Sequence, residues 1–291
     1  MRKIEMLNLY YFIYIFIAIF LTFLIIKFLN NKSTKYKNTF VFSLLILGVL
    51  IHFLRVLLPP YKLIDIVWTK WTFENICATS TLLFPLFYFS KNKTIKDYMT
   101  MIGVASGLLT FIVPVDPMSP YFNGVVLTSA QIELYKSAFS IETIRFYLTH
   151  YILFLAPFLM LYYKLHELSL KRMFRPPLFL IGILVLIFVN EVIVSLLGWV
   201  PKEDIFDPTK RNPSFIFGTR GDLKGLGVLI SLFVPAFLMT NPFGLGYFPV
   251  LWLVGPVLIY GTVFSFLFML IFRNEETLHF LNKTFKKEKL N

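Results

Sequence analysis

The sequence predicts an all-α fold: a polytopic membrane helix bundle of about seven transmembrane helices, with the N-terminus outside and the C-terminus inside. Three observations lead there. Of 291 residues, 57% are hydrophobic and only 15% are charged, against about 25% charged in a soluble domain. Several apolar stretches reach the roughly 20 residues that cross ~30 Å of hydrocarbon. The excess of Lys and Arg also falls almost wholly on one side of the resulting topology, which sets the orientation.

The expected spans are 7–28, 39–58, 73–89, 98–115, 143–165, 177–198 and 249–272, within one integral membrane domain covering 1–291. The first run is too long for a signal-peptide core and lacks a small-x-small cleavage site, so it reads as a retained helix. The stretch 226–239, "LGVLISLFVPAFLM", is short and holds a proline, and "TNPFGLGYFP" follows it. It reads as a re-entrant or interfacial segment. With this topology the inner segments carry 16 Lys and Arg against 5 acids, and the outer segments 12 against 10. An eighth span would move the basic tail outside and spoil that asymmetry. The net charge of +12 is therefore a topology signal, and no nucleic-acid partner is expected. One cysteine excludes an internal disulfide.

Placing polar residues by depth, at 1.5 Å per residue, gathers them in one layer. Cys77 falls about 6 Å below the outer edge with Glu74 near the rim, and His150 about 10 Å down, below Arg145. His52 lies about 9 Å down with Arg55 one turn above it, and Asn190 and Glu191 about 10 Å down. A titratable group in a bilayer is costly and by default faces the bundle or a watery cavity. Four spans that converge on one depth are the strongest bottom-up sign of a site.

The chemistry such a layer offers is nucleophilic. An imidazole takes the proton of a thiol, the thiolate attacks an acyl carbon, and the imidazolium protonates the leaving oxygen. Glu191 or Glu74 would orient the imidazole, and Arg55 or Arg145 would hold a lipid phosphate. Each residue also has a plainer reading. A lone membrane cysteine is usually a small apolar filler. His52 and Arg55 would pair with Glu74 or Glu191 to neutralise buried charge, Arg145 would snorkel to the interface, and Asn190 would be packing glue. His166 and His279 read as solvated residues without a role. No H-x-x-x-H, H-E-x-x-H or C-x-x-C spacing occurs, nor any nucleotide or serine-hydrolase signature, so no metal and no cofactor are expected.

Three segments carry a resemblance: "NICATSTLLFPLFYFSKNKTIKDYMTMIGVASGLLTFIVP", "IRFYLTHYILFLAP", and "FVNEVIVSLLG" followed by "NPSFIFGTRGD". The first resembles the third and fourth helices of the YwaF-like integral membrane family, which takes in the eukaryotic transmembrane protein 164 acyltransferases. It holds a cysteine step at Ile76-Cys77-Ala78, then Pro85, a basic loop, and Gly103, Gly107 and Pro114. The second is similar to the family's R-F/Y-x-x-x-H helix, with His150 in the histidine's place. Before the cysteine this chain reads "WTFEN" where the family has a Leu-Pro-Leu-His/Glu stretch, and Ala78 stands for a serine. In the eukaryotic branch the resemblance implies a cysteine–histidine phospholipid acyltransferase, which would make Cys77 the nucleophile and His150 the base.

The expected function is thus a lipid acyltransferase or lipid-ester hydrolase of the cell membrane, in a bacterial plasma membrane. Cys77, His150 and Glu191 would be its catalytic residues. His52, Arg55, Glu74, Arg145 and Asn190 would bind substrate, and membrane lipids would be the partners. The rival is a transporter or lipid-binding protein with a polar pocket between helices. Transport is disfavoured because only the 226–249 region is broken by Gly and Pro in the manner of transporter half-helices. A third reading is a structural component of the membrane.

Overall fold

The computed structural model describes residues 3–122, 125–207, 211, 213–219, 224–240 and 246–272. In chain order these form α1 (Leu9–Leu29), α2 (Thr34–Leu54), α3 (Ile76–Phe89), α4 (Lys93–Ile112), the single turn α5 (Val115–Met118), α6 (Ser129–Lys136), α7 (Ile141–Tyr162), α8 (Arg175–Leu196), α9 (Lys224–Ser231) and α10 (Leu251–Phe272). A two-residue antiparallel hairpin, β1 (Tyr121–Phe122) with β2 (Val125–Val126), is its only sheet among the described residues. His279 and the basic tail lie outside the described residues.

The helix starts follow local chemistry. Asn8, Ser33, Asn75, Asn92 and Ser140 each turn a side-chain oxygen to a backbone N–H in the first turn of the helix that follows. Thr128 and Gln131 form a full capping box at α6. Helix α8 opens on Arg175-Pro176-Pro177, where missing N–H groups do no harm.

Six of these helices, α1, α2, α4, α7, α8 and α10, are long and apolar enough to cross a membrane. The seventh expected span is shorter than its hydropathy implied. Helix α3 has 14 residues, about 21 Å, because Asn75 caps it and the residues before it are extended. Segment 226–239 is also broken, into the eight-residue α9 and a 3-10 turn at Ala236–Leu238. It lies against α10, where the Tyr260 hydroxyl donates to the Leu229 carbonyl at 2.6 Å.

Helix α7 is the hub, packed by α4, α2, α1 and α3. The α4–α7 contact is close because two glycines face it. A Cβ on Gly103 would lie 2.5 Å from Pro157 Cγ, and one on Gly107 2.5 Å from Phe154 Cβ and 2.9 Å from the His150 carbonyl. Helix α1 sits outside this core, joined to α7 by Tyr14 stacked on Tyr147 at 3.9 Å and by a 3.0 Å hydrogen bond between Thr22 and the Tyr151 hydroxyl. Most of its other side chains are exposed, as lipid-facing apolar residues are. Helix α10 packs on α8, with Gly261 against Pro177.

The inner end holds a feature the sequence reading dismissed. His166 is buried, and its Nε2 lies 2.7 Å from Asp97 Oδ1. The Asp97 carboxylate, fully buried on α4, also accepts from Arg172 Nε at 2.5 Å and Nη2 at 3.0 Å. The expectation of a solvated, idle His166 is therefore corrected. Spacing in sequence hid the pairing, because 69 residues separate the two partners.

Candidate functional site

Cys77 is the second residue of α3. The Asn75 side chain accepts from Ala78 N at 2.9 Å and so starts the helix at Ile76, later than hydropathy predicts. The positive end of the α3 dipole therefore lies at the thiol. The thiol is free and only partly buried.

Contacts from three directions hold the segment leading into this helix. From α8, Asn190 Nδ2 donates to Thr72 Oγ1 at 3.2 Å. Glu74 receives Arg55 at 2.6 Å and Lys70 at 2.7 Å, with all three side chains about nine-tenths buried. Arg55 also donates to the Lys70 carbonyl. Finally, Ser214 Oγ accepts from Ile76 N at 2.8 Å. Ser214 sits in left-handed backbone, φ 52°, and its segment is tied to α10 by Trp252 Nε1 donating to the Phe215 carbonyl at 3.0 Å. Sequence reasoning missed Ser214, whose only signal is its place in the "NPSF" run.

Ser214→Ala removes the bond to Ile76 and is expected to cost about 1 kcal/mol, read as a lower unfolding temperature in detergent. Maleimide labelling of Cys77 is expected to quicken as the helix start frays. An unchanged labelling rate would mean that Asn75 alone sets where α3 begins.

His150 stands on α7 with Nδ1 2.8 Å from the Phe146 carbonyl, one turn back, and its ring 4.4 Å from that of Phe146. A carbonyl only accepts, so Nδ1 carries the hydrogen and Nε2 presents a lone pair. A backbone oxygen thus does the orienting for which a glutamate was expected. Glu191, fully buried, is bonded instead to Arg211 through both of its oxygens.

Among the described residues the thiol and the His150 ring are not hydrogen-bonded to each other. Bonds between nucleophile and base commonly tighten only when substrate binds. Their helices meet at α2, where the Cβ position of Gly48 is 3.7 Å from Thr81 Cγ2, one turn below Cys77, and 3.3 Å from Ile152 Cγ2. Asp116 lies in the turn α5 beyond α4, and its backbone carbonyl accepts from Lys136 Nζ at 2.7 Å. Asp116 is a second residue the sequence reading passed over, since it belongs to an outer loop and not to a span.

The remaining candidates form a charged collar above. Arg145 makes two bonds to Glu142, at 2.6 and 2.9 Å, and the Tyr61 hydroxyl lies 3.4 Å from the same carboxylate. Arg145 is thus ion-paired within the bundle, its side chain 13% exposed. Burial raises the Tyr61 phenol above its ordinary pKa. In the outer cap, Lys136 is buried and donates to the Asp116 carbonyl at 2.7 Å. Desolvation lowers its ammonium pKa, and the nearby Asp116 charge offsets that only in part. His52 is 3% exposed, and its Nε2 has no hydrogen-bond partner.

The model of the TMEM164 family matches residues 4–207. The chain belongs to the TMEM164 family. Every candidate residue lies inside the matched region, which covers α1 to α8. Arg211 and Ser214, the partners of Glu191 and Ile76, come from beyond it, as do α9 and α10. No curated protein and no solved structure matches the chain. Family membership and the helix bundle together make this TMEM164-family chain a multi-pass membrane protein.

Proposed function

We propose that this protein transfers or hydrolyses a lipid acyl group through a thioester on Cys77, with His150 as general base, at the outer side of the cell membrane. The observation that carries this reading is the His150 ring. With Nδ1–H spent on the Phe146 carbonyl, only Nε2 is left to take a proton, and it lies in the same outer layer as a thiol at a helix N-terminus.

In the first half-reaction, Nε2 takes the thiol proton and sulfur attacks the ester carbon. The carbon–oxygen bond then breaks, and the imidazolium protonates the departing alkoxide. In the second half, His150 takes a proton from the accepting hydroxyl or water. The new carbon–oxygen bond forms, the carbon–sulfur bond breaks, and the proton returns to sulfur. Glu74, Arg55, Asn190 and Ser214 hold the Cys77 helix start, and Arg145 with Glu142 braces the outer end of α7. This fits the ion pairs these residues make better than a direct role in binding phosphate.

The test is intact mass spectrometry of purified protein incubated with phospholipid. A hydroxylamine-sensitive acyl adduct is expected on the parent chain and is expected to be absent from Cys77→Ala. In His150→Ala its formation is expected to slow by about 10²–10⁴-fold, the usual contribution of a positioned base. If no adduct forms with any phospholipid and both variants bind lipid like the parent, the layer is a lipid-binding pocket and not a catalytic one.

A further inference from the structure

At the end of the bundle that holds Cys77, the connections between helices are inside-out. Between α2 and α3, Lys70 is 7% exposed and Arg55 and Glu74 bury their ion pair, while Trp68 and Trp71 stand 49% and 38% exposed. Between α6 and α7, Lys136 is 4% exposed, whereas Leu134 and Phe139 are each more than half exposed. The first turn of α7 repeats the pattern, with Glu142 buried against Arg145 and Ile141 facing out. A surface in water favours the opposite arrangement, charges outside and large apolar side chains within. Lys62, Asp65 and Glu133 are exposed, so each connection keeps a side suited to water beside the apolar one.

Two further observations say what covers the apolar side. The exposed residues run on from helices that already face lipid. The Trp71 ring lies 5.8 Å from that of Phe53 on α2, and the Phe139 ring 5.7 Å from that of Tyr10 on α1. Helix α3 is also too short to reach the outer boundary. Exposed Lys91 and Lys93 mark its inner end, and from there its 14 residues rise about 21 Å through ~30 Å of hydrocarbon. The helix therefore starts about 9 Å short of the outer edge. The chain from Trp71 to Asn75 climbs at most about 13 Å, at ~3.3 Å per residue, so the turn before it lies no more than roughly 4 Å beyond that edge.

We infer that the 3-10 turn Val67–Trp71 and the α6–α7 corner are embedded in the lipid of the outer leaflet, although the sequence places both in loops outside the membrane. Trp68, Trp71, Leu134, Phe139 and Ile141 meet the lipid, and the ion pairs behind them are shielded by these side chains. Tryptophan is enriched at this boundary. Trp71 also donates its ring N–H to the Phe53 carbonyl at 2.9 Å, so that group needs no water. The inference goes beyond the proposed reaction and holds whether or not Cys77 carries an acyl group.

The test places a nitroxide on a single cysteine in a Cys77→Ser background, in phosphatidylcholine bilayers. It compares accessibility to oxygen, which concentrates in lipid, with accessibility to a nickel chelate, which stays in water. Trp68→Cys and Phe139→Cys carry the question. Phe16→Cys, on the exposed side of α1, is the lipid reference and Lys62→Cys the water reference. Oxygen is expected to dominate at Trp68→Cys and Phe139→Cys, with a ratio close to that of Phe16→Cys and the reverse of that of Lys62→Cys. A nickel-dominated ratio at both would overturn the inference and put the loops in water. Low accessibility to both reagents would overturn it as well, since protein, such as a second copy of this chain, would then cover the patch. Unlabelled protein gives a second reading should a cysteine variant fail to fold. In brominated phosphatidylcholine, the tryptophan emission that Trp68→Phe/Trp71→Phe removes is expected to be quenched by bromine and untouched by aqueous iodide. Quenching by iodide alone would sink the lipid contact of the turn. Neither readout involves acyl transfer, so the thioester on Cys77 stands or falls separately.

Discussion

Gly107→Val is expected to break the α4–α7 pair and, with it, the placement of His150. Even the first added carbon would sit 2.5 Å from Phe154 Cβ and 2.9 Å from the His150 carbonyl. The second of these is backbone and cannot rotate away. The helices must separate, and every contact they share along the hub of the bundle loosens. Overpacking of this kind costs about 1–3 kcal/mol and sometimes more, and valine adds two further methyl groups to the clash. The expected result is a large fall in unfolding temperature in detergent, together with loss of monodisperse protein on size-exclusion chromatography. Gly182, on α8, is the internal control, since a Cβ there meets nothing within 4 Å. Gly182→Ala should be neutral or stabilise by roughly 0.5–1 kcal/mol, because a helix-interior glycine loses more backbone entropy than alanine. Similar behaviour of the two variants would sink the steric account.

Asp97→Ala is expected to be comparably severe, from a different cause. The carboxylate is fully buried and is held by Arg172 and His166 at the inner end of α4. Its removal leaves the Arg172 guanidinium without this carboxylate in a poorly solvated place, a class of change that costs about 3–5 kcal/mol. The double variant Asp97→Ala/Arg172→Leu should recover part of the loss, since replacing both members of a buried pair by apolar groups is far less costly than removing one. Thermal unfolding of the parent, both single variants and the double variant checks this through the coupling energy. Additive losses would mean that the ion pair contributes nothing.

Much of this architecture was legible in the residues because hydrophobic length and loop charge are local properties. Leu9–Leu29 or Leu251–Phe272 must find hydrocarbon whatever else the chain does. The expected outer-layer concentration of Cys77, His150, His52, Arg55 and Glu191 was read in the same way, from position along a span. Pairing was not. Glu191 could have faced His150 as easily as Arg211, and Glu74 could have met either histidine; which partner each takes depends on how helices rotate about their axes. That rotation is set by close contacts such as those of Gly103 and Gly107, on α4, with α7, which no single helix reveals. His166 was misjudged on the same account, its partner lying on another helix.

By itself, then, the sequence determined that this is a membrane helix bundle and how many apolar crossings it has to within one short helix. Only the tertiary structure decided that Asn75 and Ser214 put Cys77 at a helix N-terminus, that a backbone carbonyl rather than a glutamate orients His150, and that His52 and Arg55 keep unpartnered atoms. The physical reason is the range of the forces. Transfer of apolar residues into lipid acts residue by residue, whereas hydrogen bonds and ion pairs require two groups within about 3 Å, and for groups tens of residues apart only the packed fold supplies that proximity.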